Sequence, residues 1–422
     1  MTRVTRTTVL VLLLALASIS PAGVAQTRNL VLVTLDGVRV QEMFGGLDVE
    51  VLRRGLEAGQ RLEDAPAYKK YWAPTREERR LRLMPFFWGA LMRSHGSIVG
   101  DRGSGRSNRL ANAYRSSYPG YSEFLTGRAH DEVVTGNDLG QNPYPSVLEF
   151  LRRRLGVRRQ EVAVFASWGT MARIAEHVPG TIFVNAGPDP YDASDRVVDA
   201  LNRLQLDTPT DSAVVRRDAY TIELALAHLR LQRPRVLYAS LDETDGLAHA
   251  GRYTEVLEAL ARIDRWLERL WDDLQADGDY RDRTALVVTT DHGRGRTPDR
   301  WHQHGAGIEG AEDVWTAFVV PESPRRGVWR DGPTVTHDQL AATLARLMGL
   351  DYSMDNPESA PPVEAVFGDR LLAPAVQAQA LPFGFRPANP DVELPATDPR
   401  LLRQPPVVTR LSHLAGTIRN SR

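Results

Sequence analysis

Residues Asn29 to Gly37 read NLVLVTLDG, and this stretch decides the fold. Its first seven residues are apolar or β-branched with almost no polar interruption, the pattern of a short strand buried in a sheet, and the run stops at Asp36. Three later runs repeat the type: EVAVFAS (161–167), RVLYASL (235–241) and TALVVTT (284–290). Between them, PSVLEFLRRRL (145–155), DAYTIELALAHLRLQ (218–232) and TEVLEALARIDRWLERLWDDLQA (254–276) space their apolar residues for one face of a helix. THDQLAATLARLMG (336–349) adds a fourth helix, with Thr336 and Gln339 as a capping-box pair and Gly349 as a stop. Strands alternating with helices predict an α/β fold around a largely parallel central sheet.

At 422 residues and 42% hydrophobic, the chain can bury one large core or two smaller ones. Its 52 basic and 53 acidic residues leave a net charge of -1, so no overall field points to nucleic acid or to an anionic membrane. Residues 1–25 read as a signal peptide: Arg3 and Arg6 precede an apolar run from Val9 that is too short to span a bilayer and ends in small residues. Export is therefore expected, to the periplasm or the medium, with no stable membrane insertion after cleavage. With no cysteine, stability must come from packing or from bound metal. Residues 26–351 are expected to form the catalytic domain, with the Arg-rich 52–116 segment inserted beside the sheet edge. Prolines become dense after about residue 352, so 352–422 reads as an extended C-terminal extension.

The chemistry collects where strands end. Asp36 follows the first run, Asp242 and Asp245 the third, and Asp291 with His292 the fourth. Taken singly, each is an ordinary cap or turn residue. Together they are expected to converge, because ligands of open α/β sheets gather at the carboxyl ends of the strands. In LDETDGLAHAG, Asp245 and His249 are four apart and can face one ion; WHQHGAG supplies His302 and His304. Of ten histidines, four lie in these short segments, and mixed Asp/His sets suit zinc or another divalent first-row cation. SYPGYSEFLTGR (117–128) is read by itself as a turn, with Pro119 and Gly120 supplying the bend.

These segments carry a resemblance. LDG at Asp36, SYPGYSEFLTG, DETDGLAH, TTDHG and the HG at His304 stand in the order found in the alkaline phosphatase superfamily, and the chain resembles most closely its type I phosphodiesterase and nucleotide pyrophosphatase branch, over roughly residues 29 to 350. The resemblance implies a three-layer sandwich with a mostly parallel sheet flanked by helices. It implies two divalent ions, zinc foremost: one held by Asp245, His249 and His304, the other by Asp36, Ser117, Asp291 and His292. Ser117, two before Pro119, is then the nucleophile of a phosphoric ester hydrolase working through a phosphoseryl-type intermediate on small-molecule esters rather than a nucleic acid polymer. Asn137, or less favourably Asn142, is the implied donor to the developing negative charge. Ser116 and Ser122 lack the offset from Pro119 and read as structural.

One departure stands out: the branch commonly has Asn-His where this chain has Gly120-Tyr121. Arg39, Arg294 and Arg296 lie near the motifs, within reach of substrate oxygens, but read as solvated or packed on the surface; Asp242 reads as a partner of a ligand or a strand-end cap, and His337 as structural. A phosphomonoesterase is the main alternative. A sulfatase would want Arg four residues after the nucleophile, where Tyr121 stands, and a Ser-His-Asp esterase would want a G-x-S-x-G elbow. An exported metal-binding protein without turnover would not need a hydroxyl at Ser117.

Overall fold

The computed structural model describes residues 27–367 apart from 322 and 324. The expected signal peptide, and the C-terminal extension beyond residue 367, lie outside the described residues. Eleven strands are described: β1 Asn29–Leu35, β2 Gly96–Val99, β3 Asn108–Arg109, β4 Val162–Ala166, β5 Phe183–Ala186, β6 Val236–Leu241, β7 Thr284–Thr289, β8 Asp313–Val314, β9 Thr316–Val319, β10 Gly327–Val328 and β11 Val335–Thr336. Eight of them form one sheet in the order β10-β2-β9-β7-β1-β6-β4-β5, and β11-β3-β8 form a small second sheet.

The four apolar runs of the sequence are β1, β4, β6 and β7, and β1 lies between β6 and β7, parallel to both. Every β1 residue is buried. Its side chains alternate between two cores: Val31, Val33 and Leu35 enter one, Leu30 and Leu32 the other. A strand covered on both faces has no polar side, which is why NLVLVTL shows no alternation. The first core is closed by the helices Asp218–Gln232 and Tyr253–Ala276, the second by Ser117–Thr126, Val147–Leu155 and Gln339–Leu347. The molecule is thus the expected three-layer sandwich.

Local chemistry sets the helix ends. Ser146 Oγ accepts from Glu149 N at 3.3 Å, Glu149 Oε2 accepts from Ser146 N at 2.8 Å, and Gly156 closes the helix at φ +65°. The pair expected at Thr336 is only half made: Thr336 N donates to Gln339 Oε1 at 3.1 Å, but Thr336 belongs to β11, and Asp338 is the N-cap. The helices Pro66–Tyr71, Arg76–Leu83 and Phe87–His95 follow one another, Leu83, Met84, Phe87, Leu91 and Met92 enter the first core, and β2 follows into the sheet between β10 and β9. From the start of the proline-dense stretch, Tyr352, Val363 and Val366 pack into the second core.

The register places the motifs. Thr34 pairs with Ser240 on one side and Thr289 on the other, so the three central parallel strands end level, and Asp36, the segment from Asp242 and Asp291 emerge along one edge.

Candidate metal centre and nucleophile

Asp36 and Asp291 stand at that edge with almost no solvent exposure, and His292, also buried, lies between them. His292 Nε2 is 3.4 Å from Asp36 Oδ1, 3.5 Å from Asp291 Oδ2 and 3.6 Å from Asp245 Oδ1. A second group adjoins the first. The seven-residue helix Glu243–His249 presents Asp245 and His249 from one face, as their spacing of four requires. His249 Nε2 is 3.2 Å from Asp245 Oδ2 and 3.0 Å from His304 Nε2, and His304 Nε2 is 4.0 Å from Asp245 Oδ1. All six Asp and His residues implied as ligands are therefore together. His292, implied for one ion, reaches the carboxylates of both groups.

Backbone carbonyls fix which imidazole nitrogen faces inward. His292 Nδ1 donates to Gly293 O at 2.9 Å and His304 Nδ1 to Arg115 O at 3.2 Å, leaving each Nε2 with its lone pair toward the carboxylates, as metal-ligating histidines require. Arg115 adopts φ +50°, a left-handed backbone uncommon outside glycine. It is held there by Asn112 Oδ1, which accepts from Arg115 N at 2.7 Å, and Asn112 in turn is gripped by Glu123 of the following helix.

That helix runs Ser117–Thr126, so the expected turn is corrected to a ten-residue helix. Pro119 sits in its first turn, where the missing N–H costs nothing. Ser116, its N-cap, makes no side-chain cap bond; instead Asn137 Oδ1 accepts from Tyr118 N at 2.9 Å. Ser117 Oγ lies 3.3 Å from His292 Nε2 at the positive end of this helix, where a developing alkoxide is favoured. Asn142 is spent elsewhere: its Nδ2 donates to Ile174 O at 3.1 Å and its Oδ1 accepts from Tyr144 N at 3.1 Å.

Burial sets the electrostatics. Desolvation, then the charges of Asp291 and Asp242, raise Asp36 well above the usual carboxylate range, and burial likewise raises Asp291. Asp242 is pushed up to about 7 by burial and by Asp218. In the opposite sense His304 is pushed down to about 2 by burial and by its neighbours His292, Arg294 and His249. A cation relieves carboxylates crowded together, and imidazoles held neutral are in the form that ligates it. Asp36 Oδ1 and Asp291 Oδ2 are buried and accept no hydrogen bond, although each lies near His292 Nε2. Unpaired buried carboxylate oxygens are costly, and a divalent cation taking O and N ligands satisfies them, so the donor set fits zinc or a similar ion.

The remaining motif residues sort themselves. Arg294, expected at the surface, is 1% exposed; its Nε donates to Gly37 O at 3.1 Å and its Nη2 pairs with Asp245 Oδ1. Arg39 is buried against Glu42, and Arg296 pairs with Asp313 at 2.8 Å, away from the ligands. His302 contributes only its carbonyl, to Arg294 Nη1 at 2.5 Å. His337 packs against Phe124 with ring centroids 5.1 Å apart. Sequence reasoning missed the tie from Arg294 to Asp245, the role of the Arg115 carbonyl, and the bond from Tyr121 Oη to Asp36 Oδ2 at 3.0 Å. The only available signal was the departure at Tyr121.

The family model of type I phosphodiesterase / nucleotide pyrophosphatase matches residues 121–314. No curated protein matches the chain. Among solved structures, a Bacteroides thetaiotaomicron protein assigned as a sulfatase aligns with a TM-score of 0.50 at 13% identity, over 80% of this chain and 73% of that one. The phosphonate monoester hydrolase of Agrobacterium radiobacter aligns at 0.47 and 13% identity, over 76% and 74%. A protein in the alkaline phosphatase superfamily from Vibrio parahaemolyticus aligns at 0.44 and 12% identity, over 77% and 67%. At such identities the first likeness speaks to the fold alone.

Proposed function

Taking the chain as an alkaline phosphatase superfamily protein that resembles the type I phosphodiesterases, we propose that it is a metal-dependent hydrolase of phosphoric esters, diester-preferring, with Ser117 as nucleophile. The observation that carries this reading is the pair of unpartnered buried oxygens, Asp36 Oδ1 and Asp291 Oδ2, facing His292 Nε2, which itself lies 3.3 Å from Ser117 Oγ. Asp36, Asp291, His292 and Ser117 would hold one ion, and Asp245, His249 and His304 the other. We take both as zinc, which when bound acidifies the serine hydroxyl and neutralises charge on the phosphoryl oxygens.

The chain's own part is positioning. The Ser117 Oγ–P bond forms as the bond from phosphorus to the leaving oxygen breaks; the alcohol departs, and water then cleaves the phosphoseryl ester to restore the hydroxyl. The Asn137 carboxamide, its Oδ1 pinned by Tyr118 N, is left with its Nδ2 to donate to a non-bridging phosphoryl oxygen. The leader-like N-terminus supports export, and a small-molecule phosphate ester is the proposed substrate.

The test is the ratio of kcat/KM for an aryl phosphodiester and the matching monoester on zinc-loaded protein. A ratio above one is expected. A ratio well below one makes the protein a phosphomonoesterase, and no turnover of either ester sinks the reading.

A further inference from the structure

The Gly120-Tyr121 pair sits one helical turn beyond Ser117, and each residue touches a different carboxylate bearer. A Cβ on Gly120 would stand 2.2 Å from Asp291 O, so only glycine lets the nucleophile's helix press against that segment. The contact brings the next side chain under Asp36. Tyr121 is 1% exposed, and its Oη donates to Asp36 Oδ2 at 3.0 Å. The other carboxylate oxygen, Oδ1, accepts nothing and faces His292.

The direction of this bond is set from below. Thr34 Oγ1 donates to Ser240 Oγ at 3.1 Å, and Ser240 Oγ donates to Tyr121 Oη at 3.2 Å. Thr34 Oγ1 also lies 3.0 Å from Tyr238 Oη. A hydroxyl has one proton to give, so with Ser240 supplying Tyr121, the Tyr121 proton is free for Asp36 alone. All five residues are buried, where each donation polarises the next.

We propose that Tyr121 is a positioning residue: its hydroxyl, at the end of the Thr34–Ser240–Tyr121 chain, holds Asp36 Oδ2 so that Oδ1 is presented to the cation shared with Asp291 and His292. Nucleophile and ligand are thereby locked in one register, because Ser117 and Tyr121 ride on the same helix. This rests on the metal-centre reading above, and partners that orient a ligand typically govern metal affinity by ~10–100-fold.

The experiment compares the parent with Tyr121→Phe, which keeps the ring and removes the hydroxyl. Zinc affinity is measured by chelator competition, and unfolding temperature with and without zinc. Expected is a ~10–100-fold loss of affinity for one of two ions, the other unchanged, and a smaller rise in unfolding temperature on adding zinc. A merely structural role would lower the unfolding temperature equally with and without metal and leave affinity alone, and that result overturns the proposal. Thr34→Val, two hydroxyls away, should weaken the same ion by less; no effect there together with full affinity in Tyr121→Phe also refutes it. If the parent binds no metal, the functional reading fails instead, which keeps the two failures apart.

Discussion

Ser117 Oγ faces His292 Nε2 at 3.3 Å, so removing the oxygen should leave the Asp and His ligands in place. Ser117→Ala is expected to lose ~10^3-fold or more in kcat while retaining both ions, measured by turnover and metal analysis together. Asn137 separates two roles. Asn137→Asp keeps an acceptor for Tyr118 N but removes the amide donor, and is expected to hold stability while losing ~10^2-fold in kcat; Asn137→Ala should add a stability loss of ~1 kcal/mol from the missing cap. At this scale the six Asp and His residues were legible because strand-end position and short spacing both point inward. Tyr121 and Arg294 were not, since neither residue's local sequence declares a partner, and Tyr121 meets Asp36 from 85 residues away.

The helix Ser117–Thr126 shows what periodicity misses. All ten of its residues are buried, so no polar face marks it as a helix, and Pro119 with Gly120 read as a turn instead. Gly120→Ala drives a methyl group into Asp291 O, so a loss of ~1–3 kcal/mol in unfolding free energy is expected, with weaker metal binding. Gly136, with nothing within 4 Å of its virtual Cβ, is the control, and Gly136→Ala should change stability by less than ~0.5 kcal/mol. Denaturant unfolding of the two variants checks both. The strands β1, β4, β6 and β7 were legible as elements because they are mainly apolar and β-branched runs of five to seven residues with few polar interruptions. The two-residue strands β3, β8, β10 and β11 carry no pattern long enough to read.

Across the whole molecule, the parallel centre could be inferred from alternation, whereas its neighbours could not. β2 pairs antiparallel with β9, some 220 residues later, and nothing in either sequence names the other. The same scale governs the cations. Burial raises Asp36, Asp242 and Asp291, and neighbouring carboxylates raise Asp36 and Asp242 further, so cations should stabilise the folded chain, by ~2.7 kcal/mol per site at a hundredfold excess over Kd. Chelation is therefore expected to lower the unfolding temperature. The difference should shrink as pH falls, because protons compete with metal for the same carboxylates and imidazoles.

The most direct test of the central claim is turnover of an aryl phosphodiester before and after chelation and again after zinc is restored. Loss on chelation with recovery on adding zinc is the predicted result. Undiminished turnover by metal-free protein would contradict the account.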